Sequence, residues 1–184
     1  MLSEEEFVRV IFGNSPPLIA FDTDVNAPAL SEYLSLKSNH PHVDSTAYIT
    51  VGTGVGVGLV VNGSPVHGLI HPEGGHLKCS RMEGDDYPGC CEKHGDCIEG
   101  LTSAKALSER AGLSNPSELR DLEDDHFTFI CAAHTLSCLI SSLILTVSPH
   151  KIVIGGGIVQ REGIMDKIWV QFLVLNDWLI ELVG

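Results

Sequence analysis

Four potential metal ligands lie within residues 71–99, and they constrain the fold of this chain more than any other feature. Fourteen residues separate His76 from Cys91, and His94 and Cys97 then follow at intervals of three. Zn²⁺ prefers four tetrahedral nitrogen and sulfur ligands, and a shell of two cysteines and two histidines leaves no open position for chemistry. The pattern therefore predicts a structural zinc ion that folds this loop.

The cysteines also allow two other interpretations, a disulfide framework or unrelated free thiols. We find no secretory leader, and the remaining cysteines show no paired spacing: Cys79, Cys90, Cys131 and Cys138. These features favour zinc and a reducing compartment, so we expect a cytoplasmic protein.

Two carboxylates flank the ligands. Glu73 precedes His76 by three residues, and Glu99 follows Cys97 by two. A metal that fixes the loop would also fix both side chains. Ionised carboxylates only accept hydrogen bonds, which suits the hydroxyl donors of a polyhydroxylated ligand.

Composition excludes two classes of partner. The 184 residues carry a net charge of -13 with only eleven Lys plus Arg, whereas a nucleic-acid surface needs clustered basic residues. The apolar run 139–147 is broken by Ser141 and Ser142, so we expect no membrane span. A hydrophobic content of 43% indicates a globular chain with a real core.

The N-terminal part predicts a helix over residues 1–14, a strand over 18–21 and a second helix over 27–36. Asp22 and Asp24 stand where the strand runs into the second helix. Such a position suits a general base, although either aspartate could equally be a helix N-cap.

Residues 46–67 read as two β-branched strands joined at Gly52-Thr53-Gly54, followed by a second hairpin turn at Asn62-Gly63. Glycines at positions 52, 54, 56 and 58 leave one face without side chains, so another backbone or a phosphate could approach closely. A plain hairpin explains the same pattern.

The C-terminal half predicts helices over 100–111, from 116 and over 124–147, and a buried strand over 151–154 that leads into three glycines. Cys131, His134 and Cys138 share one face of the long helix and are expected in the core. In the tail, Trp169, Phe172 and Trp178 have helical spacing.

Five motifs occur in order: Asp-Thr-Asp-Val-Asn-Ala, Gly-Thr-Gly-Val-Gly-Val-Gly, His-Pro-Glu-Gly-Gly-His, Cys-x-x-His-Gly-Asp-Cys-Ile-Glu-Gly and Ile-Val-Ile-Gly-Gly-Gly. Together they resemble the ROK family of sugar kinases, in particular its zinc-containing fructokinase branch, over residues 18–160. The resemblance implies an α/β, actin-like (ribonuclease H-like) fold with an inserted zinc loop. It also implies phosphoryl transfer from ATP to a hexose, with fructose as the expected sugar.

The resemblance assigns roles residue by residue. Asp24 is similar to the family's general base, with Asp22 and Asn26 beside it, and the sugar-contacting positions are Glu73, His76 and Glu99. His76 also matches a zinc ligand, and we assign it to zinc first, with Cys91, His94 and Cys97. The ATP phosphates would meet Gly52, Thr53 and Gly54, and the adenine would meet Gly155, Gly156 and Gly157. The resemblance also implies Mg²⁺ as a cofactor and assembly into a homodimer.

This chain also departs from the family pattern. It lacks the Gly-Gly-Thr-Lys phosphate loop that precedes the catalytic aspartate, and Ser103-Ala104-Lys105 replaces the common Ser-Gly-Pro. We therefore expect a fold that is incomplete at both ends and low turnover. Residues 1–44 would be the remnant of one lobe, and residues 45–184 the other lobe with its truncated nucleotide-binding end. The alternatives are a non-catalytic sugar sensor and a zinc-stabilised interaction domain.

Overall fold

The computed structural model describes residues 21–176 together with Glu6, Arg9, Val10 and Gly13. The expected helix over 1–14 and the strand over 18–21 therefore lie outside the described residues except at single positions, and so does Trp178. The strands are β1 (Thr46–Val51), β2 (Val55–Val61), β3 (Ser64–Pro65) and β4 (Lys151–Gly155). The helices are α1 (Asn26–Asn39), α2 (Ile98–Thr102), α3 (Ala104–Arg110), α4 (Phe127–Val147) and α5 (Ile164–Leu175), with 3₁₀ turns at Gly74–His76 and Pro116–Asp121.

The four strands form one mixed sheet in the order β3-β2-β1-β4. β1 and β2 pair antiparallel, with Val51 opposite Val55 across the glycine turn. Asn62 and Gly63 both have positive φ, 51° and 76°, as a two-residue hairpin turn into β3 requires. Both predicted hairpins are confirmed.

β4 pairs parallel to β1, with Thr50 opposite Gly155. The long connection between these strands contains the proposed metal loop and three helices, because parallel neighbours need a crossover. β4 was expected to be buried. It is exposed at Lys151 and only partly buried beyond it, since within the described residues it borders a single strand.

The sheet is covered on both faces. Ala47, Ile49 and Val51 alternate along β1 and pack into one core with Leu136 and Leu139 of α4. On the opposite face, Val60 of β2 packs with Ala29 and Tyr33 of α1. The period of two along the strand thus places a helical layer on each side.

α4 is the central helix. It begins at Phe127 rather than at the predicted Asp124, because the His126 side chain accepts a hydrogen bond from the Thr128 amide and caps it. Its C-terminus is closed by Ser148 in the left-handed conformation, one residue before Pro149. By length and composition α4 could cross a membrane, a test that core helices also pass, and eleven of its residues are buried.

The single helix predicted over 100–111 is wrong, because two short helices meet at Ser103. Ser103 is extended, with ψ 160°, and its hydroxyl accepts a hydrogen bond from the Ala106 amide as the cap of α3. The break frees the Ala104 amide, which donates to the carbonyl of Gly52 at 2.8 Å. The N-terminus of α3 is thereby held against the glycine turn of the sheet.

Candidate metal centre and the adjoining cleft

The four predicted metal ligands converge. One ligand atom from each of His76, Cys91, His94 and Cys97 lies within 4.8 Å of all the others. The Nδ1 atom of His76 is 3.6 Å from Cys97 Sγ and 3.9 Å from Cys91 Sγ, and Cys91 Sγ is 3.7 Å from His94 Nδ1. A tetrahedral zinc with its usual bond lengths has sulfur–nitrogen edges of roughly 3.5 Å. The side chains are therefore spaced to bind zinc.

The loop backbone explains why these residues meet. Cys91 and Gly95 exchange backbone hydrogen bonds of 3.2 and 2.8 Å, which fold Cys91 and His94 into one tight turn. Gly95 has φ +63°, a conformation that glycine adopts without a Cβ clash. Cys97 is the N-cap of α2, and its sulfur accepts a hydrogen bond from the Gly100 amide at 3.4 Å.

The two thiols differ in acidity. Backbone hydrogen bonds from the amides of His94 and Lys93 lower the pKa of Cys91, which favours the thiolate that binds metal. Burial is the largest influence on Cys97 and raises its pKa. A bound cation would compensate for the burial of that thiolate.

Both proposed sugar-contacting carboxylates flank His76. Glu73 Oε2 lies 4.0 Å from His76 Nε2, and Glu99 Oε1 lies 4.0 Å from Nδ1. The other Glu73 oxygen pairs with His71 Nε2 at 3.0 Å. Metal-binding histidines commonly have a carboxylate near their second nitrogen, and Glu73 lies on that side of His76, although 4.0 Å is longer than a hydrogen bond.

Glu99 joins the metal loop to the sheet. Its Oε2 atom accepts a hydrogen bond from the Val55 amide at 3.1 Å, at the start of β2. A Cβ at Gly54 would stand 2.7 Å from the same oxygen. Gly54 therefore leaves the space that this carboxylate occupies, which gives one of the alternating glycines a structural explanation.

Gly56 and Gly58 are also explained by packing. A Cβ at Gly58 would lie 2.1 Å from the carbonyl oxygen of Val25, and one at Gly56 would lie 2.6 Å from Val25 Cγ1. The segment that enters α1 thus crosses directly over the glycine face of β2. Gly52 differs, because nothing lies within 4 Å of a Cβ there.

Asp24 lies at the edge of a cleft of about 340 Å³ that it shares with Thr50, Val55 and Glu99 and with the turn 52–54. A second cleft, of about 300 Å³, is lined by Thr53 and Glu99 again and by His76 and Cys91. Lys93 and Lys105 complete its rim. Thr53 and Glu99 line both clefts, so these two residues stand between the aspartate and the metal cluster.

Asp22 is held by neighbours rather than by the helix end. The Thr23 amide donates to its Oδ1 at 2.7 Å and is the first cause of its lowered pKa, and His67 Nε2, 3.1 Å from Oδ2, is a further one. The helix amide of Asn26 is capped by the Thr23 hydroxyl at 3.0 Å, so neither aspartate is the N-cap.

Asn26 is fully buried beneath this pair. Its Nδ2 lies 3.5 Å from both the Val66 carbonyl and His67 Nε2, and its Oδ1 has no hydrogen-bond partner among the described residues. Sequence reasoning missed His67, which lies 45 residues from Asp22. No local spacing signals a contact made by folding β3 back toward α1.

The three glycines after β4 differ in their surroundings. A Cβ at Gly155 would meet the Tyr48 hydroxyl at 2.5 Å, and Gly156, at φ +101°, packs on the Val51 backbone. Gly157 is open and lines a third cleft of about 500 Å³ with Ala104, Arg120 and Arg161. The structure thus brings the third glycine to an open cleft, while the first two allow backbone packing.

The profile of the ROK family matches residues 14–175. A protein of Bacillus subtilis (strain 168) is 37% identical over 175 residues, which are 94% of this chain and 56% of that protein. A fructokinase of Zymomonas mobilis (strain ATCC 31821 / ZM4 / CP4) is also 37% identical and covers 82% of this chain and 49% of its own length. The chain thus spans about half the length of the curated relatives it matches.

Solved structures agree on the fold. The ROK hexokinase of Thermus thermophilus superposes with a TM-score of 0.66 at 24% identity, over 82% of this chain and 53% of that one. A glucokinase of Streptomyces griseus in complex with glucose and AMPPNP gives a TM-score of 0.62 at 21% identity, over 90% and 60%. The predicted actin-like α/β fold is confirmed, and this chain belongs to the ROK family.

Proposed function

We propose that this chain is the sugar- and metal-binding part of a kinase that transfers the terminal phosphoryl group of ATP to a hexose. Fructose is the proposed sugar and fructose 6-phosphate the product. The observation that carries the proposal is the shared cleft in which Asp24, Thr53 and Glu99 meet beside the metal cluster. Such a transfer needs a general base, a turn that contacts the phosphates, and a fixed hydrogen-bond acceptor that positions the sugar.

Asp24 is the proposed general base. Its carboxylate is exposed at the cleft, where it can accept the proton of a sugar hydroxyl as that oxygen attacks the terminal phosphorus. The bond from that phosphorus to the bridging oxygen then breaks, and ADP leaves with the electron pair. Mg²⁺ bound with ATP would neutralise the phosphate charge, which this acidic chain does little to balance.

Glu73, His76 and Glu99 are the proposed sugar-facing group. Val55 holds one oxygen of Glu99, and the other oxygen remains to accept a hydrogen bond from a sugar hydroxyl. Zinc bound at the four-ligand cluster would fix His76 between the two glutamates. Asp22 is proposed as a further sugar contact and pairs with His67, whereas Asn26, the other residue proposed for this role, is fully buried beside them.

ATP is proposed to bind across the turn 52–54 and the loop after β4. The Gly52 amide is already bonded to the Gly54 carbonyl at 2.9 Å, so Thr53 is the group of this turn that stands exposed to phosphate. Gly157 lines the third cleft together with Ala104, the first residue of α3. The division at residue 44, the homodimer and the cytoplasmic location stay predictions.

Titration calorimetry on the purified chain tests the proposal, with fructose and with Mg²⁺–ATP as separate ligands and a coupled phosphorylation assay beside them. A kinase binds both ligands and forms sugar phosphate. Binding of sugar alone would indicate a non-catalytic sensor, and binding of neither would indicate a zinc-stabilised interaction domain. Either of these results overturns the proposed phosphoryl transfer.

A further inference from the structure

A second pair of cysteines meets outside the metal centre. Cys79 lies in the segment that follows the 3₁₀ turn Gly74–His76, and Cys138 lies on α4. Ser80, the residue after Cys79, places its hydroxyl 3.7 Å from the Cys138 sulfur, so the segment that carries Cys79 packs against this part of α4, and the two thiols interact electrostatically. Both side chains are only partly buried, so small molecules can reach this pair from the surface.

Polar groups surround Cys138. The Ser80 hydroxyl lies 3.7 Å from its sulfur, and His134 Nε2 lies 3.9 Å away. Ser80 is exposed and His134 is nearly buried, so the sulfur stands between solvent and the core. Hydrogen-bond donors of this kind stabilise a thiolate relative to a thiol.

A metal is not the natural ligand of this pair. His134 Nε2 also lies 3.2 Å from the carbonyl oxygen of Ser80, which can only accept a hydrogen bond. That nitrogen therefore carries a hydrogen and has no lone pair for a cation. Among the described residues, the only cluster of three or more side chains that could bind a metal is the one that contains His76.

The electrostatics divide the two thiols into different roles. The neighbouring Cys79 thiol is the largest cause that lowers the pKa of Cys138 to about 6, and the Ser80 hydroxyl and His134 also lower it. The pKa of Cys79 is raised, first by Cys138 and then by burial, against small opposing effects of Thr135 and Arg81. The pKa of Cys131, about two helical turns from Cys138, is raised to about 11, mainly by burial.

We propose that Cys79 and Cys138 form a peroxide-oxidised dithiol site, with Cys138 as the attacking sulfur and Cys79 as the resolving one. The Cys138 thiolate attacks one oxygen of hydrogen peroxide, the O–O bond breaks, and a sulfenic acid and hydroxide form. The Cys79 sulfur then attacks the Cys138 sulfur, and the hydroxyl group leaves as water. Two thiols and one peroxide thus give one disulfide and two waters.

The location gives this disulfide a structural consequence. Cys79 follows the proposed metal ligand His76 by three residues, and Cys138 belongs to the central core helix. The bond would tie the entry of the metal loop to α4. The cross-link would also reduce the conformational entropy of the unfolded chain. The oxidised protein is therefore expected to unfold at a higher temperature than the reduced one.

The test uses the metal-loaded chain and limiting hydrogen peroxide. Free thiols are then blocked with N-ethylmaleimide, and the protein is digested without reductant for peptide mass spectrometry. The expected product is a linked pair of peptides containing Cys79 and Cys138, lighter by two hydrogens than the separate thiols and separable by dithiothreitol. In Cys79→Ser, dimedone should instead capture a sulfenic acid at Cys138.

Alkylation kinetics provide a readout in the unmodified chain, so the test does not depend on a variant that folds. At pH 7, iodoacetamide should modify Cys138 at least about tenfold faster than Cys131, because its greater thiolate fraction outweighs its lower nucleophilicity. Cys131→Ser serves as the matched control and should still form the linked peptides. Equal rates at Cys138 and Cys131 overturn the proposal, and so does peroxide that links Cys90 to Cys91 or joins two chains while Cys79 and Cys138 stay reduced.

Discussion

Glu99 Oε2 accepts a hydrogen bond from the backbone amide of Val55 at 3.1 Å, and this bond joins the first turn of α2 to the first residue of β2. Cys97, two residues earlier, is a predicted metal ligand. The position of the carboxylate is therefore set from two directions, by the metal loop and by the sheet. Its other oxygen faces His76.

Replacing Glu99 by Ala should destabilise the fold as well as weaken sugar binding. Val55 is almost completely buried, so the loss of the acceptor of its amide should cost about 1–3 kcal/mol. Urea unfolding measures this loss. Glu123→Ala, a change at an exposed loop position, should leave the unfolding midpoint unchanged. A Glu99→Ala chain as stable as the parent would show that the Val55 bond contributes nothing.

Adjacent cysteines provide a sharp test of the metal centre. Cys91 contributes a ligand atom to the cluster, whereas Cys90 contacts the Ser103 hydroxyl at 3.6 Å. The purified chain should contain one zinc per molecule by elemental analysis. Cys91→Ser should lose it and Cys90→Ser should keep it, since only Cys91 belongs to the tetrahedral set.

Removing the metal should also unfold the loop. Structural zinc contributes about 10–16 kcal/mol in zinc-finger peptides, and its ligands must be deprotonated to bind it. Chelation, or acidification that protonates the ligands, is therefore expected to expose the loop, with faster amide hydrogen exchange from 74 to 99. Unchanged exchange in the metal-free chain would assign this loop's stability to its backbone hydrogen bonds alone.

The convergence of the four candidate metal ligands was predictable and their surroundings were not, for a physical reason. Ligand identity and spacing are local properties, so His76, Cys91, His94 and Cys97 could be selected from the sequence alone. The partners of Asp22 and Glu99 are His67 and Val55, which the chain brings close only by folding the sheet. Contacts of this sequence separation leave no periodic signal.

The long helix and the hairpins were predictable because their signals are strong and local. The break at Ser103 was not predicted, and it is accompanied by the hydrogen bond from Ala104 to Gly52, a contact between residues far apart in the sequence. Likewise, the glycines of β2 predict that some group approaches the strand closely, but they do not identify that group. The structure shows that the Val25 backbone makes that approach at Gly58.

The glycine positions can be separated by alanine substitution. Gly58→Ala places a Cβ against the Val25 backbone and should destabilise the chain by about 1–3 kcal/mol, the usual cost of overpacking. Gly52→Ala meets open space and should leave stability nearly unchanged. Thermal unfolding of both variants checks this difference, and equal destabilisation by the two changes would contradict it.

Gly52→Ala also separates stability from nucleotide binding. If phosphate approaches this turn as proposed, the added methyl group should weaken ATP binding in calorimetry while fructose binding is retained. A variant with parental affinity for both ligands would place the phosphates elsewhere.

Asp22 should make stability depend on pH in the acid range. Its folded pKa lies below the usual aspartate value of 3.8, so the ionised group stabilises the folded chain above that pH, and this contribution is lost as the pH falls through the folded pKa. The difference in melting temperature between the parent and Asp22→Asn should therefore shrink below about pH 4. Because the group is exposed, added salt should reduce this difference. A difference that grows on acidification would give the opposite sign and contradict the assigned shift.

Asp24→Asn is the decisive substitution for the proposed chemistry. The amide keeps the shape of the carboxylate but cannot take a proton, so sugar phosphorylation should fall at least about 100-fold while fructose binding in calorimetry is retained. Detection of radiolabelled sugar phosphate from γ-labelled ATP makes the comparison possible even at low turnover. Asp166→Asn, at an exposed position of α5, is the matched control and should keep parental activity. If Asp24→Asn phosphorylates fructose at the parental rate, another group accepts the proton and the role assigned to this aspartate is wrong.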